Sequence, residues 1–485
     1  MSPDASNTGT SQGLESALVD FIRNARWFGG KGRAFTVTHV TMIRLQEQEQ
    51  EPQVGIALVT LSFEDGGTDV YQVPMASYAD PQGHLGHALI ARHDGRHVYD
   101  ALHDRAATRV WLEAFHRSAG HDPTGQPSAT TDSGPAFRRV GKHDLDPSAE
   151  STLFSGEQSN SSVAFGQDAL MKVFRRLTPG VNPDIEIHEA LTLAGTDSIA
   201  ELYGWVELAP ETPGGAPVQL AMLQQFLRAA TDGWELALAS ARRLITADPS
   251  GEEVGDFTAD SHRLGVAVSE VHEILREQFG TQAFDAAATS ATMRQRLSAA
   301  IGVVPQLADH STALETVFDR LADSPGDIHR IHGDLHLGQT LRTAIGWKLV
   351  DFEGEPAKTL EERQLPDSPW RDVAGMLRSF DYAAQSVVKE LDASGESREP
   401  AANGTQDRVA SRADEWRQVN RAAFLAGYVE RRVGRGEATL TAAEATIINA
   451  YEADKAVYEV IYEARNRPSW LDIPLQAIDR IGAES

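Results

Sequence analysis

One polar stretch in the C-terminal half brings together side chains whose types and spacing suit phosphoryl transfer. The loop HGDLHLGQ holds His332, Asp334 and Gln339, and the apolar run WKLVDF then leads to Asp351 and Glu353. A carboxylate can orient and deprotonate a hydroxyl group, while an amide oxygen and further carboxylates hold Mg2+ on a nucleotide. The spacing therefore predicts an enzyme that transfers a phosphoryl group to a small molecule.

Each residue of this stretch receives a predicted role. Asp334 is assigned as the general base, and the predicted ligands of Mg2+ are Gln339, Asp351 and Glu353. Such a sparse oxygen set suits Mg2+, which accepts few protein carboxylates. His332 is grouped with the substrate-binding residues, where we expect it to brace the loop by hydrogen bonding. Asp372, further along the chain, is expected to anchor the same loop.

The residues that would bind the nucleotide come earlier in the chain. The segment SGEQSNSSVAFG, between two predicted strands, has neither the GxGxxG nor the GxxxxGK[ST] pattern. Its tip instead offers Ser159, Asn160 and Ser161 as contacts for phosphate. The alternative, a polar hairpin tip without a ligand, stays open.

A lysine follows in the next predicted strand. Lys172 lies among the apolar residues of ALMKVF, where a charge is costly unless it is paired. Glu186 on the following helix is the predicted partner, with Glu189 as a rival. A lysine held in this way positions ATP phosphates in kinases. Backbone groups near the end of LQQFL are expected to hold adenine, at Gln225, Phe226 and Leu227.

The order of the elements predicts the fold. A helix and a strand meander come first, then more strands, and helices dominate after residue 233. We therefore predict a bilobal α+β fold of the eukaryotic-protein-kinase type. Its predicted parts are an N-terminal cap subdomain at 1–100, a β-rich part of the N-lobe at 101–228 and a helical C-lobe at 229–485. A linker near 119–136 and a mobile loop near 389–410 interrupt it.

Composition narrows the class of partner. The 485-residue chain has no cysteine and a formal net charge of −26. This charge argues against nucleic acid or an anionic membrane as a partner. The first residues lack the basic and apolar parts of a secretory signal. We expect a cytoplasmic protein without a membrane span.

With these motifs in place, the chain resembles the actinobacterial maltokinases, which are relatives of the aminoglycoside and choline kinases. The segments that carry the resemblance span most of the chain, and they are ARWFGGKGR, EQSNSSV, NPDIEIHEAL, HGDLHLGQ, DFEGEP, ERQLPDSPWRDVAGMLRSFDYAA and YEADKAVYEVIYEARNRPSW. The resemblance implies ATP and Mg2+ as cosubstrates and maltose 1-phosphate as the product. It further implies a role in α-glucan synthesis from trehalose, with trehalose synthase as a partner.

The last of these segments predicts the sugar site. Tyr451, Lys455, Tyr458 and Tyr462 recur at helical spacing on one face. Tyrosine rings stack on sugars and their hydroxyl groups hydrogen-bond to them, although packing against a neighbouring helix would give the same pattern. The resemblance implies that the contacts to maltose come from Lys455, Tyr458, Glu459 and Tyr462.

Two other functions stay open. The chain could phosphorylate another sugar, an amino sugar or an aminoglycoside, but Lys455 in the predicted sugar site favours a neutral acceptor. It could also be a silent nucleotide-binding scaffold for trehalose synthase. The presence of every expected catalytic residue argues against a scaffold.

Overall fold

The computed structural model describes residues 8–46, 50–118, 134–154, 159–210, 212, 214–247, 257–394, 405–432 and 439–483. Most of the predicted linker at 119–136 lies outside these ranges, as do residues 155–158 of the predicted phosphate loop. The chain divides into two compact units. The N-terminal unit comprises Met1–Leu193 and Ala200–Arg228, and the C-terminal unit comprises Ala194–Ile199 and Ala229–Ser485.

An antiparallel sheet with the order β1-β2-β3-β5-β4 opens the N-terminal unit. Elements are numbered along the chain, and these strands are β1 (Phe35–Arg44), β2 (Gln53–Phe63), β3 (Thr68–Tyr78), β4 (Leu89–His93) and β5 (Arg96–Asp100). The turn EDGGTD joins β2 to β3, and Gly66 and Gly67 adopt positive φ angles of 100° and 89° there. The flanking helices are α1 (Thr8–Asn24) and α2 (Arg105–Arg117).

A second sheet with the order β6-β11-β12-β9-β8-β7 completes the N-terminal unit. Its strands are β6 (Ala136–Arg139), β7 (Ser151–Leu153), β8 (Asn160–Phe165), β9 (Ala169–Phe174), β11 (Leu202–Leu208) and β12 (Val218–Gln225), with helix α3 (Pro183–Ala194) inserted between β9 and β11. The short strand β10 (Arg176–Leu177) pairs with β3 of the first sheet. Met171 and Val173 of β9 are fully buried, and they lie on the face opposite Lys172 because strand side chains alternate.

Helices make up most of the C-terminal unit. They are α4 (Gly233–Thr246), α5 (Thr258–Phe279), α6 (Ala286–Val303), α7 (Ser311–Leu321), α8 (Leu360–Gln364), α9 (Pro369–Ser394), α10 (Thr405–Arg432), α11 (Ala442–Asn466) and α12 (Asp472–Ala483). The predicted bounds of the loop at 389–410 were wrong. Residues 389–394 continue α9, and residues 405–410 belong to the first turns of α10. Residues 395–404 between them lie outside the described ranges.

Short strands in the same unit frame the polar loop. A three-stranded sheet has the order β13-β16-β17, and two further strands, β14 and β15, pair with each other. Their bounds are β13 (Thr231–Asp232), β14 (Gln282–Ala283), β15 (Asp327–Ile328), β16 (Thr340–Arg342) and β17 (Trp347–Leu349). The loop HGDLHLGQ therefore lies between β15 and β16, and the following acidic residues come directly after β17.

The ends of the helices follow from local sequence signals. Pro369 is the first residue of α9, a position where proline loses no helical hydrogen bond. Thr441 and Glu444 form a capping box at the start of α11, which satisfies backbone N–H groups that the helix leaves unpaired. Across the described ranges, none of the helices has both the length and the apolar character of a membrane span.

Two glycines allow α5 and α10 to cross closely. A Cβ atom at Gly265 would overlap the backbone carbonyl oxygen of Phe424, and one at Gly427 would overlap that of His262. Because backbone atoms cannot move aside as a flexible side chain can, these positions require glycine. The core of this unit therefore depends on small residues as well as on large apolar ones.

The close helix crossing predicts opposite effects of one substitution at two sites. Gly427→Ala should destabilise the chain by about 1–3 kcal/mol, because overpacking outweighs the gain of roughly 1 kcal/mol in helix propensity. Gly302→Ala, in α6, is the control, since a Cβ atom there meets nothing within 4 Å, and it should leave stability equal or slightly higher. Denaturant unfolding measures both. Equal effects of the two substitutions would contradict the close crossing.

Candidate active site

A buried carboxylate anchors the polar loop in the C-terminal unit. The backbone N–H groups of His332 and Gly333 donate to Asp372 at 2.8 and 2.9 Å. The His272 ring lies 3.1 Å from the same carboxylate. Burial favours the neutral form of Asp372, but His272 and these N–H groups outweigh it and hold its pKa below the ordinary value. The predicted anchoring role of Asp372 is confirmed.

The His332 ring holds the loop together from within. Its Nε2 lies 3.0 Å from the carbonyl oxygen of Val350, and its Nδ1 lies 3.4 Å from the N–H of Asp334. Only 1% of His332 is exposed, so the predicted contact with substrate is wrong. The expected bracing by hydrogen bonds is what the structure shows, because both ring nitrogens are used inside the loop.

Asp334 presents its carboxylate beside a lysine of α11. The Nζ atom of Lys455 lies 3.5 Å from Oδ1 of Asp334, and the two side chains are 37% and 25% exposed. Asp334 is thus reachable from solvent, unlike His332. A partly exposed carboxylate with an ammonium group beside it can bind a hydroxyl group and accept its proton. The structure brings these two predicted residues together.

The predicted metal ligands form the next part of the loop region. Asp351 has a φ angle of 67°, a left-handed conformation that is uncommon for residues other than glycine and often marks a functional site. Gln339 Nε2 donates to Asp351 Oδ2 at 3.0 Å, so the amide oxygen would reach a shared cation only after the amide group turned over. Glu353, two residues on, is partly buried.

These three side chains fit a hard divalent cation in their chemistry. Carboxylate and amide oxygens are the donors that Mg2+ prefers, and Mg2+ keeps several of its waters, so few protein ligands suffice. Asp351 and Gln339 already meet at hydrogen-bond distance. The assignment of Gln339, Asp351 and Glu353 as ligands of Mg2+ remains a proposal.

In the N-terminal unit, the strand lysine is paired with a carboxylate of the following helix. Lys172 Nζ lies 2.9 Å from Oδ2 of Asp184, two residues before the predicted partner Glu186, which remains a proposal. Two positions on a helix turn a side chain by about 200°, so spacing alone could not separate the two. The Asn182 side chain accepts from the N–H of Asp184 at 2.9 Å, and the NPD sequence was the signal for this capped position.

The environment of Asp184 keeps it ionised. Burial alone would raise its pKa, but the charges of Lys172 and His188 more than offset burial and hold the pKa below the ordinary value. His188 Nδ1 lies 3.0 Å from Oδ1 of Asp184. The carboxylate is thus fixed from two sides, and it holds the ammonium group of Lys172 in one place.

The hairpin tip divides into exposed and buried parts. Ser161 is buried, and its hydroxyl oxygen accepts from Arg175 Nε at 2.8 Å. The prediction that its side chain contacts phosphate was therefore wrong. Ser159 is exposed and Asn160 is partly exposed, so the proposed phosphate contacts narrow to these two residues and to backbone groups near them.

The segment predicted to hold adenine uses part of its backbone internally. The N–H of Gln225 donates to the carbonyl oxygen of Glu201 at 2.8 Å, and the N–H of Phe226 donates to that of Asp168 at 2.7 Å. These bonds fix the end of β12. The backbone groups that we still propose as hydrogen-bond partners of adenine are the carbonyl groups of this segment and the N–H of Leu227.

Helix α11 has a buried apolar face, and two of the tyrosines on the predicted aromatic face are exposed. Val457 and Val460 are at most 1% exposed, whereas Tyr458 and Tyr462 are each 45% exposed. Lys455 Nζ lies 5.6 Å from the centre of the Tyr458 ring. The lysine next to Asp334 is therefore also next to the first of two accessible aromatic rings. Tyr451 differs from them, because it is 6% exposed.

Glu459 does not belong to this accessible face. Its Oε2 lies 2.6 Å from a guanidinium nitrogen of Arg378, and the pair is buried. Burial raises the pKa of Glu459, although Arg378 opposes the shift. The contact with maltose that the resemblance implied for Glu459 was wrong. Its partner is 81 residues away in sequence, so the sequence offered no local signal for the pair.

Two further ion pairs, both made by one arginine, were also not predicted. Arg371 contacts Glu355 and Asp367, both at 2.7 Å. The Tyr451 hydroxyl group donates to Asp367 at 2.8 Å, which explains why this tyrosine is buried. The only hint in the sequence was the place of Glu355 within DFEGEP. The carboxylate of Glu355 is thus neutralised by an adjacent guanidinium group.

Comparison with known proteins agrees with the fold. The family model described as the maltokinase N-terminal cap domain matches residues 21–104. A glucosamine kinase of Streptacidiphilus jiangxiensis is 28% identical over 343 residues, covering 66% of this chain and 70% of that protein. A glucosamine kinase of Mycolicibacterium smegmatis is 28% identical over 336 residues, covering 66% and 77%.

Similarity in three dimensions extends over nearly the whole chain. The solved structure of a glucosamine kinase in complex with glucosamine, ADP and inorganic phosphate superposes with a TM-score of 0.67 at 20% identity. It covers 99% of this chain and 100% of that protein. The chain therefore has a kinase-like α+β fold with an N-terminal cap, a sheet-rich N-terminal part and a helical C-terminal part, which confirms the predicted fold class.

The ion pair in the N-terminal unit predicts a stability that depends on pH. Lys172→Met should cost about 3 kcal/mol at pH 7, because it leaves the buried Asp184 carboxylate without its ammonium partner. A carboxyl group whose folded pKa is lowered stabilises the fold above its unfolded pKa and loses this contribution as the pH falls. The cost of Lys172→Met should therefore shrink as the pH falls through the ordinary carboxyl range.

Denaturant unfolding of the wild-type and variant chains at neutral and acidic pH measures this difference. Arg263→Met is the control, because Arg263 pairs with Asp260 at an exposed site, with its side chain 52% exposed. Its cost should be small at every pH. If the loss in the free energy of unfolding caused by Lys172→Met did not change with pH, this would contradict the ion pair between Lys172 and Asp184.

Proposed function

We propose that this chain is an ATP-dependent sugar kinase that phosphorylates the anomeric hydroxyl group of maltose. The observation that carries the proposal is the 3.5 Å contact between Lys455 Nζ and Asp334 Oδ1 on an accessible surface. A general base lies there beside a cation and next to aromatic rings. The match to a maltokinase cap domain and the similarity to two glucosamine kinases support phosphoryl transfer to a sugar.

In the proposed reaction, Asp334 accepts the proton of the acceptor hydroxyl group. The freed oxygen forms a bond to the γ-phosphorus of ATP, the bond from that phosphorus to the β,γ-bridging oxygen breaks, and ADP leaves. Lys455 would hold the acceptor oxygen against Asp334 and limit its negative charge. Mg2+ held by Gln339, Asp351 and Glu353 would neutralise charge on the phosphates.

The charges around Asp334 favour a neutral acceptor. The ammonium group of Lys455 would repel a protonated amine placed against Asp334. Two further carboxylates in this region are paired, since Glu355 contacts Arg371 and Glu459 contacts Arg378. An amino sugar would therefore lack an obvious counter-charge among these residues, whereas maltose requires none.

The exposed rings favour an acceptor longer than one sugar. Tyr458 and Tyr462 are one helical turn apart on the same face of α11, and each is 45% exposed. Tyrosine rings pack against the apolar faces of pyranoses. Two rings in succession beside Asp334 support a disaccharide, with the reacting sugar nearest to Lys455.

Phosphorylation of an amino sugar is the second candidate. It is favoured by the similarity to two glucosamine kinases, each covering 66% of this chain. Cytoplasmic location, a role in α-glucan synthesis and pairing with trehalose synthase remain proposals that rest on the resemblance to maltokinases.

A panel of acceptors tests the proposal. ADP release with ATP and Mg2+ should be selective for maltose over glucose, glucosamine, trehalose and an aminoglycoside. Asp334→Asn should lower kcat for the preferred acceptor by roughly 10²–10⁴-fold, the usual contribution of a general base, while ATP binding is retained. Selective turnover of glucosamine would show that the acceptor is an amino sugar, as in the second candidate function. Near wild-type kcat in Asp334→Asn would exclude Asp334 as the base.

The aromatic face predicts how KM responds to truncation. Tyr458→Ala should raise the KM for maltose by about tenfold, the order expected when a stacking ring is lost, and should raise the KM for ATP much less. Val419→Ala on α10 is the control, because Val419 is similarly exposed, at 46%. Equal rises in both KM values for Tyr458→Ala would indicate a packing role instead.

A further inference from the structure

A cavity of about 260 Å³ lies in the C-terminal unit, and Tyr451 of α11 contributes to its lining. We call it the Lys358 cavity. Its walls come from α6, from the segment between Lys358 and Arg371, and from Tyr451 of α11. Tyr451 is one helical turn before Lys455 on α11, so the cavity adjoins the proposed acceptor site without including its exposed rings.

Three cations from three parts of the chain line this cavity: Arg296 of α6, Lys358 before α8 and Arg371 at the start of α9. Two of them are paired. Arg371 contacts Glu355 and Asp367, and Arg296 contacts Asp454 on α11. The same lining contains two carboxylates, Asp285 and Asp367, so the charge available to a ligand depends on which of the cations is left unpaired.

Lys358 is the unpaired cation of the set. Within the described part of the chain, its ammonium group has no carboxylate oxygen at ion-pair distance, although the residue is only partly exposed. Burial lowers the pKa of Lys358 and the charge of Arg371 lowers it further, whereas the charges of Asp367 and Glu355 oppose this shift. A partly buried ammonium group with cations nearby gains stability when an anion binds beside it.

The acidic residues that line the cavity are already used. Asp367 accepts from Arg371 and from the Tyr451 hydroxyl group. Asp285 caps α6 by accepting from the N–H of Ala288 at 2.9 Å. Neither is at ion-pair distance from Lys358, so the positive charge of Lys358 remains available to a ligand that enters the cavity.

We propose that the Lys358 cavity binds a phosphate group, either as inorganic phosphate or as part of a phosphomonoester, through Lys358 with Arg296 and Arg371 beside it. A phosphate has enough oxygens to face all three cations at once, and hydrogen bonds between charged partners are the strong ones. A carboxylate has only two oxygens and would satisfy this arrangement less well.

A ligand bound in the cavity could change the acceptor site through the charges that lie between them. Arg371 links the cavity to Glu355, and the charge of Glu355 acts on Tyr458 of the aromatic face. A phosphate that draws Arg371 towards Lys358 would weaken the contact with Glu355. Binding of phosphate does not depend on the proposed function, but an effect on the KM for the sugar does.

Calorimetric titration with inorganic phosphate tests the binding, with ADP and Mg2+ at saturation so that the nucleotide site is occupied. Lys358→Met should weaken phosphate binding by about tenfold or more, since it removes a charged hydrogen-bond donor, and Lys358→Arg should restore it. Lys389→Met is the control, because Lys389 contacts Asp472 elsewhere in the unit, and it should bind as the wild-type chain does.

The outcomes separate the alternatives. Unchanged affinity in Lys358→Met, or no saturable binding to the wild-type chain, would overturn the proposal. A parallel titration with glucose 1-phosphate identifies the source of the phosphate. If glucose 1-phosphate binds more tightly than inorganic phosphate and Lys358→Met abolishes its binding, the natural ligand is a phosphomonoester. If Tyr458→Ala abolishes the binding of glucose 1-phosphate and Lys358→Met does not, this ligand binds at the acceptor face, which contradicts the assignment of the cavity.

Discussion

The Asp372 carboxylate fixes the part of the structure on which the proposed chemistry depends. It accepts the backbone N–H groups of His332 and Gly333, and it is buried, so water does not compete for these bonds. The His332 ring then reaches across the loop to Val350. This sequence of bonds sets where Asp334 points. The general base is thus held in place by residues that do not themselves contact the acceptor.

Paired charges shape the rest of the C-terminal unit. Acidic residues are abundant in this chain, yet those beside the acceptor face are matched with arginines: Glu459 with Arg378, and Glu355 with Arg371. Burial makes such pairs costly to break, because an unmatched charge would remain in the interior. Lys455 lies beside both Asp334 and the exposed Tyr458 ring, which is the reason for proposing a neutral sugar.

The spacing of residues along the chain correctly predicted the features that depend on neighbouring parts of the sequence. The fold class, the anchoring role of Asp372 and the separation of faces on α11 all follow from order, periodicity or position within a motif. Long-range pairing could not be read in the same way. Glu459 was assigned to the sugar because the sequence does not show that it forms an ion pair with Arg378, 81 residues earlier in the chain. Ser161 was misplaced for the same reason, since Arg175 binds it across the hairpin.

The contact of Asp184 with Lys172 was not predicted. Asp184 and Glu186 are both acidic residues in the first turns of α3, and the sequence pattern did not indicate that the Asp184 side chain reaches the lysine. The residues that form the proposed metal site were recognised by type. The orientation of the Gln339 amide group and the left-handed backbone of Asp351 depend on the folded loop and had no counterpart in the sequence pattern.

The position of the phosphate in the product shows whether the anomeric hydroxyl group of maltose is the acceptor. After reaction of maltose with ATP and Mg2+, phosphorus–proton correlation by NMR should connect a new phosphate to the anomeric proton of the reducing sugar, and reducing-end reactivity should disappear. A phosphate on any other carbon would contradict the proposed position of transfer. Phosphorylation of glucosamine with maltose left unchanged would contradict the account in which Lys455 beside Asp334 selects a neutral acceptor.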